Sequence, residues 1–93
     1  MIEMKYVVVS SKAGEQMFLL PRAINHKDFA EVLSYIKEGG SRDWKREHRL
    51  PISAGFTDGV MCYGSSETLT LKSRLEDTAL LKAGGFRATK ALA

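Results

Sequence analysis

The chain of 93 residues has few of the residue types that reveal chemistry: one cysteine, two histidines, one tryptophan and two prolines. A single cysteine excludes a disulfide within the chain and fits a reducing compartment such as the cytoplasm. One cysteine and two distant histidines do not make a zinc site. No apolar run approaches the length of a membrane span, and the first residues do not resemble a signal peptide. We expect a cytoplasmic protein without metal, cofactor or membrane contact.

Catalytic motifs are also missing. The glycines do not have the spacing of a dinucleotide-binding loop, and Ser65 and Ser66 after Gly64 do not form a nucleophile elbow. Cys62 could act as a nucleophile only if His26 or His48 approached it in space, so we expect a small hydrophobic side chain in a strand instead. We expect His26 itself to be a partly exposed residue of a first helical turn. The sequence therefore names no catalytic residue and favours a protein that is not an enzyme.

What the chain does have is the composition of a soluble globular domain, with 44% hydrophobic and 27% charged residues. We predict one domain over residues 1–85 and a flexible tail over 86–93. Strands are predicted at residues 5–9 and 16–20, and their residues 6–9 and 17–20 are consecutively apolar, which is typical of strands covered on both faces. So short a chain is expected to leave one face open, so we predict self-association as a homodimer or a higher oligomer.

Two helices are predicted. Asn25 is a good N-cap, and apolar side chains spaced as one helical stripe follow it until Gly39 and Gly40, which predicts a helix over residues 26–38. The pair Ser73 and Glu76 fits a capping box and predicts a second helix over residues 74–83. Its apolar face is expected to carry Leu75, Thr78, Ala79 and either Leu80 or Leu81.

A hairpin is predicted between them, with strands at residues 52–57 and 60–63. Asp58 and Gly59 predict a two-residue type I′ turn, which places Phe56 opposite Met61 and Ala54 opposite Tyr63. That bulky face is expected in the core. The other face is flat and would admit a helix, a partner sheet or a ligand; its residues are Ser53, Gly55, Cys62 and Gly64.

The predicted fold class is α+β, an antiparallel sheet of four to five strands with two helices in the order β-β-α-β-β-α. The predicted core consists of apolar side chains from the strands and the first helix: Val7, Val9, Phe18, Leu20, Phe29, Val32, Leu33, Ile36, Phe56, Met61 and Tyr63.

The net charge of +3 comes from the connector at residues 41–50 and from the end of the chain. Basic side chains that alternate with an aromatic ring can bind phosphates while the ring stacks on a base. The candidate nucleic-acid residues are Arg42, Trp44, Lys45, Arg46 and Arg49. Asp43 and Glu47 dilute this charge, so a solvated loop is the alternative interpretation.

Three short motifs resemble those of small uncharacterised proteins from proteobacteria and their prophages: Gly55-Phe56, Cys62-Tyr63-Gly64, and Ser-Arg-Leu-Glu-Asp-Thr at residues 73–78. The resemblance implies a mobile-element origin and carries no known activity or site residues.

The leading functional hypothesis is a non-enzymatic binding or interaction protein. Its working surface would be the flat side of the hairpin or the connector that contains Trp44. The alternative is a small nucleic-acid-binding module built on the same connector. An enzyme built on Cys62 is the third hypothesis.

Overall fold

The structure, a computed structural model, describes residues 3–11, 14–33, 35–37, 44–46, 50–84 and 86–88. Their helices and strands are, in chain order, β1 (Met4–Ser11), β2 (Gly14–Leu20), α1 (His26–Leu33), β3 (Tyr35–Lys37), β4 (Trp44–Arg46), β5 (Leu50–Thr57), β6 (Cys62–Tyr63), β7 (Ser65–Ser66), β8 (Leu71–Lys72), α2 (Leu75–Lys82) and β9 (Phe86–Ala88).

The main sheet has five strands in the order β6-β5-β1-β2-β9. β1 lies at its centre and runs antiparallel to both β2 and β5, with a change of register between Val8 and Val9 on the β5 side. β3 pairs with β4, and β7 with β8, in two small antiparallel sheets. The α+β prediction is confirmed.

Both faces of the main sheet are covered by helices of the same chain. Consecutive residues Tyr6 to Val9 are at most 1% exposed, because alternate side chains enter different cores. One core contains Val7, Val9, Phe18, Leu20 and Ala54 beneath Phe29 and Leu33 of α1. The other contains Tyr6, Val8, Met17 and Leu19 beneath Leu81 of α2. The open face that motivated self-association is therefore absent from these strands, and self-association itself stays a prediction.

The first helix begins as predicted and ends early. The side chain of Asn25 accepts hydrogen bonds from the backbone N–H groups of Lys27 and Asp28, at 2.8 and 3.4 Å, which confirms the N-cap. The helix ends at Leu33, so its predicted extension to residue 38 is wrong. Residues 35–37 instead form β3, which pairs with β4. Tyr35 and Ile36 are an aromatic and a β-branched residue, and both types are favoured in strands.

Val32 is the residue of α1 that the predicted stripe misplaces. His26, Phe29 and Leu33 are the buried residues of this helix. Val32 lies about 120° around the helix from His26 at about 100° per residue, and it is 56% exposed. Its predicted place in the core is wrong. The side chain of Ile36, also predicted in the core, lies outside the description.

The predicted hairpin exists, but its loop is longer than two residues. Phe56 pairs with Tyr63 and Thr57 with Cys62, so four residues, 58–61, connect the strands. Asp58 accepts hydrogen bonds from the backbone N–H groups of Val60 and Met61, and this local bonding replaces the tight turn. Met61 and Tyr63 are exposed rather than in the core, and Phe56 is half-buried.

The second helix and its N-cap each begin one residue later than predicted. Arg74 is the N-cap, and the backbone N–H of Arg74 donates to the side chain of Asp77, so the acidic capping partner is Asp77 and not Glu76. Leu75, expected on the apolar face, is 90% exposed.

After α2, residues 86–88, where the sequence suggested the start of a tail, form β9 parallel to β2. The rest of that predicted tail lies outside the described residues.

The described helices have eight residues each, and neither combines the length and the apolar character that crossing a membrane requires.

Candidate functional site

A buried carboxylate connects α2 to the sheet. Asp77 is fully buried, and its Oδ2 accepts from the Tyr6 hydroxyl at 2.6 Å while its Oδ1 accepts from the Ser53 hydroxyl at 2.9 Å. The guanidinium of Arg74 donates to Oδ1 from Nε at 3.0 Å and from Nη2 at 2.8 Å. The chain itself thus supplies hydrogen-bond donors to both oxygens of the Asp77 carboxylate. Such partners offset the cost of burying a charge.

The same network extends to the surface through Arg74. Its Nη2 also donates to Glu15 of β2 at 2.8 Å, and the bonds to Glu15 and Asp77 raise the pKa of Arg74 further above its usual range. Burial, and then the bond to Asp77, raise the pKa of the Tyr6 hydroxyl well above 10.0. The Tyr6 hydroxyl therefore stays protonated as a donor, and the cluster is suited to hold α2 in place rather than to transfer protons.

The β5–β6 hairpin presents apolar side chains to solvent, two from its loop and one from β6. Val60 is 52% exposed, Met61 56% and Tyr63 39%. We call these three residues the hairpin-loop surface. The loop is fixed from within, since Asp58 Oδ1 accepts from Val60 N at 2.8 Å and Met61 N at 2.9 Å, and Gly59 N donates to Thr57 Oγ1 at 3.1 Å. The two bonds to Asp58 lower its carboxyl pKa and keep it ionised.

Tyr63 is held on this surface at both ends. Its ring stacks on Phe56 with centroids 6.5 Å apart, and its hydroxyl donates to Glu3. That bond raises the pKa of Tyr63 to about 12. Gly64 follows at φ +77°, and Phe56 lies against it. The backbone of the loop and the side chain of Tyr63 are therefore held in place before any partner binds.

The predicted partner face is largely occupied by the chain itself. Ser53 is fully buried and bonded to Asp77 of α2, and Gly55 is buried, so neither can contact a partner. A Cβ on Gly55 would lie 2.4 Å from the Tyr63 carbonyl oxygen, which explains the glycine. Cys62 is half-buried beside α2, and only Gly64 of the four is exposed. The sequence allowed a helix, a partner sheet or a ligand on this face, and the helix α2 covers it. Ser53 and Gly55 are therefore not available to a separate partner, which corrects the prediction.

Cys62 does not have the surroundings of a nucleophile. Burial raises the pKa of its thiol, which disfavours the thiolate. It packs in the core on the α2 side of the sheet, whereas His26 belongs to α1 on the opposite face. The sheet therefore separates the two residues. His48 lies outside the described residues.

His26 is buried, which corrects the expectation of partial exposure. It is 4% exposed, its Nε2 lies 2.9 Å from the carbonyl oxygen of Gly55, and its ring meets Phe56 edge-on with centroids 5.7 Å apart. Burial lowers its pKa, so the neutral ring is favoured, and the proton sits on Nε2 because a carbonyl can only accept. Sequence reasoning missed this role because histidine after an N-cap is ordinarily exposed.

The predicted nucleic-acid residues are only partly within the description. Trp44, Lys45 and Arg46 form β4, paired with β3, so this part of the connector is a strand and not a loop. Arg42 and Arg49 lie outside the described residues. Within the part of the chain that the structure describes, no group of three or more His, Cys, Asp or Glu side chains could hold a metal ion.

Comparison with protein-family models finds no match, and neither do searches of the curated proteins and of the solved structures.

Proposed function

We propose that this chain is a non-enzymatic interaction domain that associates with a second copy of itself through the hairpin-loop surface. The observation that carries the proposal is the exposure of Val60 and Met61 on a loop fixed by its own hydrogen bonds, together with that of Tyr63 in β6. Tyrosine and methionine are enriched at protein interfaces, and a loop that is already ordered loses little entropy on binding. The small core of a domain of this size also favours association.

The surface differs from the one that the sequence suggested. It lies on the same hairpin, but it includes Met61 and Tyr63, which were expected in the core and are exposed in the structure. The proposal also includes a mobile-element origin, which is supported by the resemblance of the three motifs. It includes a cytoplasmic location as well, which is supported by the single cysteine. The nucleic-acid hypothesis stays a separate prediction.

Sedimentation velocity from low micromolar to submillimolar concentration tests the proposal. We expect a monomer–dimer equilibrium in the wild-type chain, and a dissociation constant raised about tenfold or more by Met61→Ser. Met61 is preferred to Tyr63 as the target because Tyr63 also supports Phe56.

The matched control is Leu50→Ser. Leu50 is 53% exposed, close to the 56% of Met61, but it lies at the opposite end of β5, about 23 Å from Thr57. We expect this variant to associate like the wild type. A wild-type chain that stays monomeric throughout, or equal weakening by the two variants, would overturn the proposal.

A further inference from the structure

A cavity of about 280 Å³ opens beside the N-terminal end of α1, away from the buried network of Asp77. Its walls come from β1, β5, α1 and the β7–β8 hairpin. The residues that matter for its chemistry are Lys5, Asn25, His26, Phe56, Ser66 and Glu67. This volume lies just below the usual range of small-molecule sites, so an occupant would be small.

Two opposite charges line this cavity without pairing with each other. The ammonium of Lys5 is partly buried and donates to the carbonyl oxygen of Ile24 at 2.9 Å, and among the described residues no carboxylate forms an ion pair with it. An ammonium has three N–H donors, so two are left for other acceptors. Glu67 is exposed at the same cavity, and its carboxylate likewise has no ion pair with any described residue.

The remaining walls are rigid and neutral. His26 is held through Nε2 by Gly55, and its Nδ1 is left as a hydrogen-bond acceptor. Ser66 is 2% exposed, and its hydroxyl is fixed by the backbone N–H of Leu69 at 3.2 Å. Phe56 supplies an apolar wall that His26 and Tyr63 hold from two sides.

We propose that this cavity binds a small zwitterion of the α-amino acid type. The ligand carboxylate would accept from Lys5, its ammonium would meet the carboxylate of Glu67, and a small side chain would lie against Phe56. An anion alone would leave Glu67 unpaired at the site, and a cation alone would leave Lys5 unpaired. A phosphate is disfavoured because the cavity offers one cation and a carboxylate, whereas phosphate sites ordinarily gather several donors. This inference uses residues other than the hairpin-loop surface.

The test is a ¹H–¹⁵N NMR titration at constant ionic strength with three probes of similar size. L-Alanine carries both charges, propionate only the carboxylate and ethylamine only the ammonium. We expect saturable shifts at the amides of Asn25, Ser66 and Glu67 with alanine, and affinities lower by about tenfold or more for the other two probes.

Charge-removing variants assign the effect to the cavity. Lys5→Met and Glu67→Gln should each weaken alanine binding by about tenfold or more, while Lys82→Met and Glu76→Gln, on exposed positions of α2, should leave it unchanged. Glu67 is exposed, so its variant remains informative if Lys5→Met fails to fold. No saturable shift with alanine, equal affinity for either single-charge probe, or equal loss in the α2 controls would overturn the proposal.

Discussion

Asp77 joins three elements through one carboxylate, because β1, β5 and the start of α2 each donate to it. The neutral variant Asp77→Asn keeps the size of the side chain. It removes the charge that Arg74 faces and turns one acceptor into a donor that points at other donors. We expect the free energy of unfolding to fall by about 3 kcal/mol.

Urea unfolding with an unchanged slope measures this difference. Glu76→Gln is the control, since Glu76 is exposed and contacts Arg74 only at 3.9 Å; its effect should stay within about 0.5 kcal/mol. Equal effects of the two substitutions would contradict the structural role of Asp77.

His26 gives the protein a pH dependence whose sign follows from burial. Its pKa is lowered in the folded chain, first by burial and then by the charge of Lys5, from 6.5 in the unfolded chain. Above about pH 7 both states hold a neutral ring, so the full stability is present. As the pH falls through 6.5, the unfolded chain binds a proton that the folded chain does not, so stability decreases.

We therefore expect the free energy of unfolding to decline between pH 7 and the lowered pKa of His26, and His26→Gln to remove this slope. His48→Gln is the control. If the slope survives in the His26 variant and disappears in the His48 variant, the pH dependence belongs to His48, which would contradict the prediction.

At the scale of elements, α2 separates exposed from buried leucines within two turns. Leu75 is 90% exposed, whereas Leu81 is 6% exposed in the core above Met17 and Leu19. Leu81→Ala should cost about 2–4 kcal/mol through lost burial and a residual cavity, and Leu75→Ala less than about 0.5 kcal/mol. Thermal unfolding of the two variants side by side measures the contrast. Comparable losses would mean that Leu75 is buried as well, as the sequence predicted.

The elements that the sequence predicted well are those whose signals are local. The apolar runs of β1 and β2 and the N-cap at Asn25 depend on neighbouring residues, and the structure has all of them. Val32 and Leu75 were misplaced because which face of a helix is buried depends on where it docks. The buried face of α2 includes Asp77, and the buried face of α1 includes His26. Neither polar residue looks like a core residue in the sequence.

The candidate sites were harder to predict than the fold. Asp-Gly is the signature of a tight turn, but the carboxylate of Asp58 can also bond two residues further on, and here it does. That choice moves Met61 from the core to the surface. The cavity at Lys5 and Glu67 brings together residues 62 positions apart, which no spacing in the sequence reveals.

At the scale of the whole molecule, the uneven charge supports one more test. If the connector with Arg42, Trp44, Lys45, Arg46 and Arg49 binds nucleic acid, affinity for fluorescent single- and double-stranded oligonucleotides should fall log-linearly with salt. Trp44→Ala should then weaken binding to single strands more than to duplex, because stacking needs an accessible base. Lys82→Met, which changes a lysine outside residues 41–50, is the control. An absence of binding at low salt would discard the hypothesis.

The central position of β1 also has a consequence for how the chain is made. β2 follows β1 almost at once, but β5, which pairs with the other edge of β1, begins about 30 residues after β2 ends. At roughly 5–20 residues per second, a ribosome needs about 1.5 to 6 s to synthesise that stretch. During this time a β1–β2 hairpin already outside the ribosome has an open, strongly apolar strand edge, the kind that joins other chains. The nascent chain is thus most prone to aggregation before Leu50–Thr57 emerges, so slow translation of the connector would lower the yield of folded protein.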